Sequence, residues 1–320
     1  MEKNLIYQDI IEARELIRDH IIKTPLLRVK ALDKILNTKV YLKCENLQIT
    51  NSFKLRGALN ALLHLSDEQK SCGIVASSSG NHAQGIAYAA KKLNIDAKIV
   101  MPVNSNIEKL NRVKSQNVPV ILYGKNSSQR DEEALRLVNE ENRVFIHPFK
   151  NFYVKAGQGT MALEILEDLE PDNIFVPIGG GGMISGVSTA IKTVNKNIKV
   201  YGVEPKNAAR YSKSLKEGRP IVLDSNDTIA DGTRTDSADK TNFEIIKSNV
   251  DKILNASEES ILKAIGLIAK EAKLIAEPSA VLGISAVLDN NIKLNRNEKS
   301  VFILSAGNID YNILKKAMEN

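Results

Sequence analysis

The sequence predicts an α/β fold of doubly wound parallel sheet, divided between two lobes. Short apolar runs alternate with stretches of helical period from about residue 40 onward, the pattern of strands joined by crossover helices. Serine- and glycine-rich turns follow two of those runs directly and open helices, the position at which open α/β sheets bind ligands. The 320 residues, 43% of them hydrophobic, are also more naturally two cores than one.

Taken in order, residues 9–19 read as an amphipathic helix with Ile10, Ala13, Leu16 and Ile17 on one face, stopped by Thr24 and Pro25. A short strand at 40–42 leads into a helix over 53–65. Strands at 73–76, 97–101 and 119–123 then alternate with helices at 83–93 and 107–114. Two helices follow, at 129–140 and 154–169. Next come a strand at 174–178, a glycine run, a helix at 183–194 and a strand at 198–203. Residues 224–239 are polar, rich in turn formers and too long for an ordinary connection, which marks a candidate functional loop. Helices at 258–273 and 278–288 precede a last buried strand at 301–304.

Composition excludes several classes. The formal charge is +6, from 44 basic and 38 acidic residues, and no basic block with interleaved aromatics points to nucleic acid. Cys44 and Cys72, the only cysteines, have no metal or redox spacing and fit a reducing, cytoplasmic compartment. The first twenty residues are charged throughout, and neither a signal peptide nor a membrane anchor is expected.

Four features carry chemistry. Lys54 lies between Phe53 and Leu55, after a polar Asn51-Ser52 step and before an apolar helical series. An amine so placed is partly desolvated, which lowers its pKa and makes it a nucleophile, although a surface lysine reads the same way. Ser77, Ser78, Ser79, Gly80, Asn81 and His82 follow a buried strand. Their amides and hydroxyls suit a carboxylate and the Asn81 amide a ring oxygen, or they are a plain helix cap. Gly179, Gly180, Gly181, Gly182 and Met183 follow another strand and open a helix, a ready seat for phosphate. With Glu204 downstream, a dinucleotide site remains a competitor. Ser305 ends the final strand, where its hydroxyl can donate to a ring nitrogen without protonating it. Together these residues offer what pyridoxal phosphate requires: an amine, an anion nest and two ring partners.

From about Thr24 onward, with its motifs in order, the chain resembles the serine racemase and serine/threonine dehydratase family, the fold type II pyridoxal phosphate enzymes. The resemblance implies an active site between a large cofactor-binding lobe, 1–51 with 149–320, and a small mobile lobe, 52–148. It implies that Lys54 forms the Schiff base beside Phe53, that Asn81 bonds the ring 3-oxygen, and that Gly179 to Met183 hold the phosphate with Ser305 at the pyridine nitrogen. Substrate carboxylate would rest on the segment from Ser78 to His82. Ser79 would act as acid/base opposite the lysine, as in racemase-like members, and Arg130 would face the distal end of the substrate. The bland readings are a turn hydroxyl for Ser79 and a solvated charge paired with Glu133 for Arg130. Racemase-like members bind a cation through positions matching Glu204, Ala208 and residue 210. Residue 210 is arginine in this chain, so no metal is expected, and the guanidinium could pair with Glu204 instead. The chain runs only twelve residues beyond Asn308, and a C-terminal isoleucine-feedback domain is not expected.

The implied reaction is loss of water from L-serine or L-threonine, giving a 2-keto acid and ammonia. The same site admits a serine racemase or a 3-hydroxyaspartate dehydratase. A remote alternative is a ligand-binding protein without turnover. Small-molecule amino acids, neither nucleic acid nor membrane, and a homo-oligomeric partner complete the expectation.

Overall fold

The computed structural model describes residues 3–78, 80–125 and 127–319. Among these the strands in chain order are β1 (Leu26–Arg28), β2 (Lys39–Lys43), β3 (Ile74–Ser77), β4 (Ala97–Met101), β5 (Val120–Leu122), β6 (Val144–Phe145), β7 (Asn173–Pro177), β8 (Lys199–Pro205), β9 (Lys252–Ala256) and β10 (Lys299–Ile303). They form two sheets, one of six strands in the order β1-β2-β10-β7-β8-β9 and one of four in the order β5-β4-β3-β6. Only β1 runs antiparallel to its neighbour. Parallel sheets covered by helices on both faces need strands apolar throughout, and β3 and β7 are buried along their whole length.

The chain passes between the sheets at the helix Lys54–Leu63, and the start of that helix is stitched to the end of β10. Ser52 bridges Ala306, the Phe53 amide donates to the Ser305 carbonyl at 3.0 Å, and the Gly307 amide donates to the Asn51 carbonyl at 2.9 Å. Backbone contact then holds the helix against its neighbour Phe152–Asp168. A Cβ on Gly57 would lie 2.4 Å from the Gln158 amide nitrogen, and one on Gly157 would lie 2.7 Å from the Arg56 carbonyl. Two glycines therefore set the spacing of these helices.

Behind Lys54 the Arg56 guanidinium is fully buried. It donates to Glu45 at 2.8 Å and to Glu164 at 2.6 and 2.8 Å, and Lys43 also pairs with Glu164. Burial alone would raise the Glu45 carboxyl, but the Arg56 charge and its hydrogen bonds hold it below the usual range. A closed set of two cations and two anions thus anchors the first turn of this helix to both β2 and the neighbouring helix.

Several elements differ from expectation. The first helix runs Tyr7–Ile17, and Leu16 is exposed rather than packed with Ile10, Ala13 and Ile17. The expected helix over 258–273 is regular only for Glu258–Leu267 and loosens into a π-turn at Ile268–Ala272, ending at left-handed Lys273. The segment after Glu277 begins as a tight 3-10 turn, Pro278–Val281, with proline at its first position, and becomes α-helical at Leu282–Leu288. No described helix is long and apolar enough to cross a membrane.

Candidate active site

The cleft between the two sheets encloses about 310 Å³, within the range of small-molecule pockets. Its wall contains Phe53, Lys54, Ser78, Asn81, His82, Arg130, Gly179, Gly180, Gly181, Gly182, Met183 and Ser305. Every expected site residue that is described therefore lines one cavity. Ser79 lies outside the described residues.

Lys54 opens its helix with its amide 3.3 Å from the Ser52 hydroxyl. Its Nζ donates to the Pro148 carbonyl at 3.3 Å and stands 5.1 Å from the Phe53 ring centroid. Burial pushes the amine down to about 8, against a smaller upward pull from the Glu277 charge. The expected desolvation is thus realised, with an aromatic and a carbonyl as the nearest company.

Asn81 begins the helix Asn81–Leu93. Its Nδ2 lies 3.0 Å from both oxygens of Glu277, and its Oδ1 accepts from Asn308 Nδ2 at 2.8 Å. Burial, reinforced by the Asp231 charge, lifts the Glu277 carboxyl to about 7. His82 is more than a helix-start amide. Its ring is buried, its Nε2 faces the Ile146 carbonyl at 2.9 Å, and burial, then the Lys54 charge, hold it down at about 3. It is neutral, Nε2 carries the proton, and Nδ1 is left buried without a partner.

The glycine turn lines the cleft as bare backbone and packs directly against its neighbours on the other side. A Cβ on Gly180 would sit 2.2 Å from the Phe149 ring, and one on Gly181, whose φ is +88°, 2.5 Å from the Tyr211 hydroxyl. The helix Gly182–Val194 follows at once, so its free amides and partial positive charge face whatever the cradle holds.

Arg130 is not a solvated charge paired with Glu133. Glu133 binds Arg136 instead, and Arg130 lies against the cleft with its Nε buried and without a hydrogen-bond partner. Burial depresses its pKa, with Asp131 and Asp236 opposing that shift. The expected pairing of Arg210 with Glu204 is also corrected. Among the described residues these two form no ion pair, because Glu204 accepts the Tyr211 and Ser212 amides, both at 2.9 Å, and the guanidinium turns to backbone carbonyls. No group of three or more potential metal ligands occurs among the described residues.

Glu277, His147, Phe149 and the turn Asp231–Thr233 complete the wall. The long polar loop signalled the last of these. Nothing in the sequence singled out His147 or Phe149.

Three comparisons agree with this geometry. A family described as "Pyridoxal-phosphate dependent enzyme" matches residues 17–306. An L-threonine ammonia-lyase of Thermotoga maritima is 40% identical over 97% of this chain and 77% of its own length. An L-threo-3-hydroxyaspartate ammonia-lyase of Saccharomyces cerevisiae is 38% identical over 95% of this chain and 93% of its own length. The structure of maize serine racemase superposes with a TM-score of 0.94 at 35% identity, covering 99% of this chain and 98% of that one.

Proposed function

The chain belongs to the family of pyridoxal-phosphate dependent enzymes, and on that premise we propose that it eliminates water from L-serine or L-threonine, leaving a 2-keto acid and ammonia. The Lys54 amine carries this reading, since it is half-buried in the wall of the cleft and depressed to about 8. Relatives named threonine and hydroxyaspartate ammonia-lyases, matching nearly the whole chain, support the reaction class.

The residues present fit pyridoxal 5′-phosphate. The backbone from Gly179 to Met183 lines the cleft at the start of a helix, where an anion finds free amides. Ser77 Oγ, His82 Nδ1 and Ser279 Oγ line the same cavity, buried and without partners. We assign the phosphate to the cradle, the ring to the space beside Phe53 and Asn81, and the pyridine nitrogen to Ser305. Bound there, the cofactor supplies an aldehyde for amines and a sink for the electron pair released at Cα.

The protein's own part is to hold substrate and move protons. The Ser78 hydroxyl and the N-terminus of the helix that begins at Asn81 are offered to the carboxylate. Lys54 takes the α-proton at Nζ, and a pKa of about 8 keeps a usable neutral fraction near pH 7. Glu277 orients Asn81. The β-hydroxyl departs as water on gaining a proton, and hydrolysis of the resulting enamine gives the 2-keto acid and ammonia, while neutral His82 places no positive charge beside Lys54. The small lobe, 52–148, closes the cleft, and Lys109–Asp231 and Arg112–Asn308 contacts join the two sides. We also assign the chain to the cytoplasm as a homo-oligomer.

A second reading, a 3-hydroxyaspartate substrate, is favoured by Arg130. Its desolvated guanidinium lines the cleft, where a second substrate carboxylate would supply countercharge. Turnover of L-serine, L-threonine, L-threo-3-hydroxyaspartate and D-serine, with keto acid and enantiomer followed together, tests both readings. Keto acid from L-threonine or L-serine supports the first. Exclusive use of hydroxyaspartate, lost in Arg130→Ala, supports the second. Accumulation of the opposite enantiomer, lost in Ser79→Ala, would make the protein a racemase instead.

A further inference from the structure

We propose that Arg210 and Tyr211, consecutive residues at the start of the helix Arg210–Glu217, are positioning residues that set the shape of the glycine cradle, an inference that rests on the cradle being the phosphate seat. The Arg210 side chain is fully buried, as is Tyr211. Burying a guanidinium is costly unless its donors are taken; both Nη groups are taken here, while Nε is buried without a partner. Nη1 donates to the Gly179 carbonyl at 3.2 Å, to the Thr233 carbonyl at 3.0 Å and to the Thr235 hydroxyl. Nη2 donates to the Ala208 carbonyl at 2.9 Å and to the Thr233 carbonyl at 2.7 Å. One planar group thereby joins the cradle, the turn after β8 and the loop that walls the cleft.

The adjacent residue does the same one peptide further along. Tyr211 Oη donates to the Gly180 carbonyl at 2.9 Å and accepts the Asp239 amide at 3.3 Å, while Asn242 Nδ2 adds a second bond to the Gly180 carbonyl at 2.8 Å. In a trans peptide the carbonyl of one residue and the amide of the next point in opposite directions, and no cis bond occurs among the described residues. Holding the carbonyls of Gly179 and Gly180 from behind therefore aims the amides of Gly180 and Gly181 away from Arg210 and Tyr211. Glycine has no side chain to fix these planes itself. The cradle gains its anion-binding geometry from outside, through Arg210 and Tyr211 with Asn242 as a third support, all of them outside the cavity wall.

A lysine at 210 would keep the charge but not the fork that spans separate carbonyls. Apoprotein is titrated with pyridoxal 5′-phosphate and, separately, with pyridoxal, reading cofactor absorbance and circular dichroism. Wild type binds the phosphate form more tightly. Arg210→Lys reduces that preference roughly tenfold and Tyr211→Phe roughly fivefold, as expected for lost hydrogen bonds of about 1 kcal/mol. Pyridoxal affinity stays within about twofold. In Arg210→Ala, millimolar guanidinium ion restores the preference. A wild type that does not distinguish the two ligands would overturn the phosphate assignment itself. A wild type that distinguishes them, with Arg210→Lys and Tyr211→Phe distinguishing them equally well, would overturn the role of Arg210 and Tyr211. Should Arg210→Ala not fold, Tyr211→Phe, which removes one hydroxyl, decides alone.

Discussion

The Asn81 amide sits 3.0 Å from both carboxylate oxygens of Glu277, and this contact fixes which face of the amide points toward the cleft. Asn308 holds the opposite end at 2.8 Å and is itself held by Arg112 at 2.8 Å. Amide orientation, the charge beside Lys54 and the junction of the two sheets thus meet in one chain of hydrogen bonds.

Glu277 also acts electrostatically on Lys54, because its carboxylate stabilises the ammonium form. Acylation of the apoprotein by a small anhydride, followed by peptide mass spectrometry, should label Lys54 with a midpoint near pH 8, well below surface lysines. In Glu277→Gln the stabilising charge is gone and the midpoint moves to lower pH. An unchanged or higher midpoint would remove Glu277 from this account. Because the folded-state pKa lies below the unfolded value of 10.5, this group disfavours the folded apoprotein at pH below 8, and the penalty fades as pH rises toward 10.5.

Gly180→Ala should cost cofactor affinity. A Cβ 2.2 Å from the Phe149 ring cannot be absorbed without moving the ring or the cradle, and overpacking of this kind costs about 1–3 kcal/mol, or roughly tenfold to hundredfold in binding. Phe149→Leu in the same chain should recover part of the loss, read as the dissociation constant for pyridoxal phosphate.

The set formed by Arg56, Glu45, Glu164 and Lys43 stabilises the fold and the Lys54 turn together. Arg56→Met leaves two buried carboxylates short of countercharge and should lower unfolding free energy by about 3–5 kcal/mol in urea titrations. Glu45 has a folded pKa held below its unfolded value of 4.5. Its contribution is therefore present above pH 4.5 and disappears as pH falls through the folded value.

Asp231→Asn breaks the pair with Lys109 across the cleft mouth. Both groups are partly exposed, so the effect on stability should stay within about 1 kcal/mol. KM should rise several-fold and kcat should change little if the pair closes the small lobe over substrate. Raising salt should weaken the wild type toward the variant.

The sequence made the buried parallel strands and the turns that line the cleft legible, since β3, β4, β7 and β10 are apolar runs and the glycines signal close backbone approach. It hid β1 and β6, which are three and two residues long, and β9, whose Lys252 and Asn255 obscure the apolar alternation. The helices at Arg210–Glu217, Lys240–Asn249 and Tyr311–Glu319 were likewise unread. Strand order was beyond local pattern, because β10 comes from the end of the chain to lie between β2 and β7. Site residues announced by a turn motif came together in one cavity. Phe149, Tyr211 and Glu277 act through contacts between segments distant in sequence, and no local spacing reports them.

Borohydride reduction of the pyridoxal phosphate-loaded protein, followed by peptide mapping, tests the central claim most directly. Cofactor should become fixed to the peptide carrying Lys54 and to no other, and Lys54→Ala should be neither labelled nor able to form keto acid from L-threonine. Labelling at a different lysine, or undiminished keto acid formation by Lys54→Ala, would contradict it.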